Sequence, residues 1–132
     1  MLPACDYVVL ATPHTDNTDG FFGRAEINHM KRGSFLINVS RGNLIVEKPL
    51  YDALSEGHLG GFAADVWWRY EYGHAFPNGC GPRYNIHKLP NVVCSLHEAH
   101  NADDVLQRNV KWGAENLRAF FFRGKSQKRS RS

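Results

Sequence analysis

Short apolar runs recur along the first hundred residues, and each breaks off at a polar residue or a turn. Asp6-Tyr-Val-Val-Leu-Ala-Thr12, Ser34-Phe-Leu-Ile-Asn-Val-Ser40, Gly60-Gly-Phe-Ala-Ala-Asp-Val-Trp67 and Asn91-Val-Val-Cys-Ser-Leu96 have the length and density of buried strands. Between them the period changes. Arg24 to Lys31 reads as a short helix with Ile27 and Met30 inward, and Phe21 and Phe22 are expected beneath it. Lys31 and Arg32 suit the negative end of its dipole, and Gly33 fits the C′ position. Glu47 to Gly57 reads as a second helix, with Leu50, Ala53 and Leu54 on one face and Gly57 just past its end. Ala102 to Phe122 is a long helix, in which Leu106, Val110, Gly113, Leu117 and Phe120 line one face. Strands that alternate with helices predict an α/β fold, part of a doubly wound parallel sheet.

One stretch has no period. Trp67 to Pro90 mixes two Trp, three Tyr and three Pro, and it reads as a long irregular loop. It could wall a substrate pocket, pack as a surface loop or form a dimer contact.

Parallel strands joined by helices end on one edge of their sheet, and ligands of open α/β sheets bind at that edge. Four strand ends carry candidate chemistry. Thr12-Pro13-His14-Thr15 follows the first. Val39-Ser40-Arg41-Gly42 follows the second, where the glycine is read as permitting a sharp turn. Asp65 closes the third and His97 the fourth. Arginine grips a carboxylate with a planar fork and stays charged. Histidine exchanges protons near neutrality. Arg41 and Asp65 are expected to face the same crevice, but a lone strand-end arginine is more often a surface salt-bridge partner and a lone histidine more often structural. A metal reading of His97, His100, Cys80, His87 and Cys94 fits no standard ligand spacing, and it is set aside.

The linked motifs Asn38-Val-Ser-Arg-Gly-Asn-Leu-Ile-Val46, Leu50-Tyr-Asp-Ala-Leu54 and Gly57-His-Leu-Gly-Gly-Phe-Ala-Ala-Asp-Val66 resemble the D-isomer-specific 2-hydroxyacid dehydrogenases. The resemblance covers most of residues 4–122. It implies a Rossmann-like cofactor domain and hydride transfer between NAD or NADP and a 2-hydroxy or 2-oxo acid. It also implies catalytic roles for Arg41 and His97, and cofactor contacts at Thr12, Val39, Ser40, Arg41, Asp65 and His97. The family's third catalytic residue is a glutamate 29 positions after the arginine, which here is Tyr70. Glu71 follows one place later and is taken as the carboxylate partner of His97, with Tyr70 as the alternative occupant. Glu98 is disfavoured because neighbours in extended chain project to opposite sides.

Length then changes the picture. The family is more than twice as long as these 132 residues, and no Gly-x-Gly-x-x-Gly occurs in them. The chain is expected to be a fragment, inactive on its own: residues 1–100 from a dinucleotide-binding domain, 101–122 a helix returning to the substrate domain, and 123–132 a basic disordered tail. The alternative is a catalytically inactive remnant acting as a binding or dimerisation module.

Charge adds little. The net +3 comes from the tail; without its five basic residues the count is 11 basic against 13 acidic. A nucleic-acid surface is not indicated. A tail that binds polyanions is the remaining reading of residues 123–132. Three cysteines without Cys-x-x-Cys spacing suit a reducing, cytoplasmic setting, and no apolar run has membrane-spanning length. The resemblance, not the composition, implies a homodimer for the intact protein.

Overall fold

The computed structural model describes residues 1–70, 76–77, 80–95, 97–98 and 104–126, with side chains of the last helix as far as Phe122. Residues 1–97 form one compact unit and residues 98–132 a second.

The first unit is built on four parallel strands. β1 (Tyr7–Leu10), β2 (Phe35–Asn38), β3 (Gly61–Ala64) and β6 (Val92–Cys94) lie side by side in that order. Leu10 pairs with Asn38, Asn38 with Ala64, and Ala64 with Cys94, so the four strands end level. The expected strands are all present, each trimmed by a residue or more at its ends.

Helix α1 (Arg24–His29) links β1 to β2, and α2 (Glu47–Ser55) links β2 to β3. Both crossovers step in the same direction, and right-handed connections then place both helices on one face. The alternating residues of that face are the buried ones: Leu10, Leu36, Phe62 and Ala64 pack with Ile27, Met30, Leu50, Ala53 and Leu54. Removing a large side chain from such a core costs about 2–5 kcal/mol. Phe22 is buried, whereas Phe21 stays 40% exposed.

The opposite parity reads Tyr7 and Val9 on β1, Phe35 on β2 and Val93 on β6. All four are exposed, and Tyr7 stacks on Phe35 with ring centroids 5.4 Å apart. This face of the sheet is apolar, and its small residues over β3 leave it flat.

Local chemistry accounts for the helix ends. The Glu26 carboxylate accepts the Gly23 N–H at 2.9 Å and caps α1. Pro49 falls in the first turn of α2, where an N–H has no intrahelical partner. Gly57, with φ 70°, takes the left-handed conformation that ends α2. Gly33 departs from expectation. α1 stops at His29, so Gly33 lies beyond its C′ position, in the turn entering β2 with φ 80°. Lys31 in that turn pairs with Asp6 at 2.7 Å.

Among its described residues, the stretch expected to be irregular holds two short strands, β4 (Arg69–Tyr70) and β5 (Cys80–Gly81), paired antiparallel, and a 3-10 turn at Ile86–Lys88. Its first residues are neither a pocket wall nor a surface loop. Trp67 and Trp68 are core residues, 1% and 7% exposed. Each indole N–H reaches a backbone carbonyl, Ser95 at 2.9 Å and Ile45 at 2.7 Å respectively, so burial leaves neither donor unpaired.

The second unit is described by α3 (Val105–Ser126), which starts later than predicted and runs past Phe122 into the stretch expected to be a disordered tail. Its predicted apolar row is in place, and Leu106, Val110, Leu117 and Phe120 are all exposed. No helix among the described residues is long and apolar enough to cross a membrane.

Candidate active site at the carboxyl edge of the sheet

The site is assembled where the strands end. Asn38, the last residue of β2, is fully buried. Its amide accepts the Ser40 N–H at 3.1 Å and donates to the Arg41 carbonyl at 2.8 Å. The polypeptide is thus bent around one side chain. Ser40 donates its hydroxyl proton to the Thr12 carbonyl, which ties the end of β1 to the end of β2. Arg41 has extended backbone, an exposed side chain, and one Nη1 bond to the Ser40 carbonyl at 2.7 Å.

Gly42 serves a purpose other than the one read from the sequence. Its φ is not left-handed. A Cβ there would lie 2.2 Å from the Trp67 carbonyl oxygen, so glycine is required by close approach of two chain segments.

Asp65 follows β3. Its Oδ1 accepts the Ser95 hydroxyl at 2.6 Å, and its backbone carbonyl lies 3.2 Å from His97 Nδ1. Taking the carbonyl as acceptor puts the neutral ring's proton on Nδ1 and its lone pair on Nε2. His97 has φ 62°, a left-handed conformation unusual for a side chain with a Cβ. The extended geometry used above to separate His97 from Glu98 is therefore absent at His97.

Tyr70 stands where the resemblance expects a glutamate. Its hydroxyl accepts the Trp67 N–H at 2.8 Å, and its ring meets the His97 ring edge-on, centroids 5.1 Å apart. Burial pushes the phenol upward. The Trp67 N–H opposes that shift, as does Arg41, whereas Cys80 and Asp65 add to it. Tyr70 is thus the point at which the influences of Arg41, Asp65 and His97 meet. Glu71 lies outside the described residues.

An open recess of roughly 210 Å³ lies beside these groups, lined by Ile37, Val39, Ala63, Ala64, Asp65, Val93 and Ser95. It is the carboxyl end of the uncovered sheet face: apolar, floored by small residues, with Asp65 and Ser95 as its polar rim.

Of the predicted residues, Thr12, Val39, Ser40, Arg41, Asp65 and His97 all lie along this edge. Asn38, Ser95 and Trp67 were missed. Asn38 sat inside an apolar run as if it were strand filling. Ser95 shares the parity of Asp65 on the neighbouring strand, a signal that could have been used once the register was known.

Comparison with known proteins identifies a family. The family model described as D-isomer specific 2-hydroxyacid dehydrogenase, NAD binding domain, matches residues 1–99. The mitochondrial formate dehydrogenase of Hordeum vulgare is 40% identical over 122 residues, covering 84% of this chain and 30% of that protein. The glyoxylate reductase of Korarchaeum cryptofilum is 35% identical over 120 residues, covering 91% of this chain and 34% of that protein. Among solved structures, the NAD complexed form of a D-isomer specific 2-hydroxyacid dehydrogenase from Lactobacillus delbrueckii ssp. bulgaricus aligns with a TM-score of 0.74 at 28% identity. That alignment covers 87% of this chain and 36% of the other. The chain spans about a third of the length of these relatives.

Proposed function

This chain belongs to the D-isomer-specific 2-hydroxyacid dehydrogenases, and from that premise we propose that it carries the nicotinamide end of an NAD or NADP site together with the groups that bind and deprotonate a 2-hydroxy acid. The whole protein would interconvert a 2-hydroxy acid and a 2-oxo acid. The observation that carries this reading is the convergence of Arg41, Asp65 and His97 on one sheet edge beside a flat apolar recess.

The recess suits a nicotinamide. Val39, Ala63 and Ala64 offer a floor for a flat ring, and the Asp65 carboxylate at the rim offers an acceptor for its carboxamide. Bound there, the cofactor would supply the hydride acceptor for oxidation and the donor for reduction.

The remaining work falls to this chain. Arg41 grips the substrate carboxylate with two parallel N–H groups and polarises the oxygen on C2. His97, held through Nδ1, takes the hydroxyl proton on Nε2 in oxidation and returns it in reduction. Asp65 serves both tasks, its side chain toward the cofactor and its carbonyl toward His97, so one residue fixes the base relative to the ring. Thr12, Val39 and Ser40 complete the cofactor edge. We assign residues 1–100 to the cofactor portion, 101–122 to the return to a substrate domain and 123–132 to a basic tail, whose first residues α3 takes in as far as Ser126.

The three thiols are free, which suits a reducing compartment, and we place the protein in the cytoplasm as a homodimer. An inactive remnant is the second reading, drawn from Tyr70 at the position of the family's acid.

The test is Arg41→Lys in a catalytically competent form of the protein. Lysine keeps the charge and loses the fork. We expect kcat/KM to fall about 10–1000-fold, roughly 1.4–4 kcal/mol, with an unchanged thermal melt. Near-normal kinetics would remove Arg41 from the site, and a collapsed melt would make it structural.

A further inference from the structure

We propose that Tyr70 is the positioning residue of His97, holding the imidazole by ring contact where the family's pattern places a carboxylate. The proposal rests on the reading of His97 as the base, and it concerns how that base is held.

Three observations carry it. First, Tyr70 is fixed at both ends. Its backbone sits in β4, paired with Cys80 of β5, and its hydroxyl accepts the Trp67 N–H at 2.8 Å. The ring cannot swing out without breaking one of these. Second, the His97 ring meets this fixed ring edge-on, with planes inclined at 63° and centroids at 5.1 Å, a favoured arrangement for aromatic pairs. Third, His97 needs holding. Its left-handed backbone is unfavourable for a residue with a Cβ, and such a conformation persists only when its surroundings impose it. The Asp65 carbonyl holds one ring nitrogen and the Tyr70 ring braces the plane.

The chemistry differs from that of an acid. A carboxylate beside an imidazole stabilises the charged form. A neutral phenol fixes orientation without adding charge, and burial keeps this phenol protonated. The hydroxyl group still has its own proton after accepting from Trp67, within reach of the influence of Arg41 and Asp65. Position 70 thus contributes aim.

The test is nitrogen-edited NMR of the imidazole in the 132-residue chain, compared with Tyr70→Phe and Tyr70→Leu. The parent should show the Nδ1–H tautomer of His97 and ring protons displaced by the Tyr70 ring current. Tyr70→Phe keeps the ring and should retain both signatures. Tyr70→Leu should lose the ring-current displacement and shift the population towards the Nε2–H tautomer. The indole N–H resonances of Trp67 and Trp68, bonded to Ser95 and Ile45, report whether the surrounding fold is intact. With those resonances unmoved, an unchanged His97 tautomer and ring-proton shift in Tyr70→Leu would overturn the proposal. So would loss of both signatures in a folded Tyr70→Phe chain, which would place the effect in the hydroxyl. The measurement uses no cofactor or substrate, so failure of the dehydrogenase reading leaves it standing. Its own failure leaves Arg41 and the recess untouched.

Discussion

Asn38 holds Arg41 by its backbone: the buried amide donates to the Arg41 carbonyl at 2.8 Å while accepting the Ser40 N–H at 3.1 Å. No other side chain type of this size supplies a donor and an acceptor from one rigid planar group. The guanidinium is exposed, with one Nη1 bond to the Ser40 carbonyl, and the chain behind it is fixed.

Asn38→Leu should therefore destabilise the chain and displace Arg41 together. Leucine fills the volume but strands a carbonyl and an N–H. We expect a loss of roughly 2–4 kcal/mol, read by denaturant unfolding. A variant as stable as the parent would show that both groups find water instead, and that Asn38 does not order the turn.

Gly42→Ala separates two roles of glycine. If only turning were needed, alanine would be tolerated, because φ at Gly42 is ordinary. The Trp67 carbonyl lies 2.2 Å from the position of a Cβ, and both elements are packed. Overpacking of this kind costs typically about 1–3 kcal/mol and here should reach the upper end. A thermal melt within one degree of the parent would mean that the two segments part easily.

Glu47 predicts a pH dependence. It is 5% exposed and its Oε1 accepts the Tyr84 N–H at 2.7 Å. Burial pushes its carboxyl up, against the pull of the Tyr84 and Arg83 N–H groups and of the Arg83 and Arg69 cations. A folded acid with a raised pKa binds more proton than the unfolded chain in the window between the two values. Stability from this group is full below the unfolded carboxylate range and falls as pH rises through the folded pKa. Glu47→Gln keeps an acceptor oxygen for Tyr84 and removes the charge. The difference in melting temperature between variant and parent should grow in the variant's favour from acidic to neutral pH. A difference that does not vary with pH would contradict the assignment.

What could be read from the sequence was what depends on local pattern. Leu36, Phe62 and Leu10 announced buried strands by density. Leu50, Ala53 and Leu54 announced a helix face by spacing. Arg41, Asp65 and His97 were read as candidates because each follows a strand, and level strand ends share an edge. The failures were non-local. Gly42 looked like a turn because the approach of Trp67 cannot be seen from either segment alone. Trp67 and Trp68 looked like loop aromatics because burial of an indole depends on distant carbonyls, Ser95 and Ile45. Asn38 looked apolar by context because its two partners lie around a bend it creates. The contact of Tyr70 with His97 joins a residue of β4 to one beyond the end of β6, and no local pattern encodes it. Glu71, preferred above Tyr70 from the sequence, lies outside the described residues.

We propose that these 132 residues hold the nicotinamide end of the cofactor. Saturation-transfer NMR of NAD mixed with the purified chain tests it directly, because it reports which protons of a weakly bound ligand touch protein. The nicotinamide ring protons should receive strong transfer and the adenine protons little. Val39→Trp, which fills the recess, should abolish the nicotinamide transfer while the chain stays folded. Transfer confined to adenine, or nicotinamide transfer that survives Val39→Trp, would contradict the account.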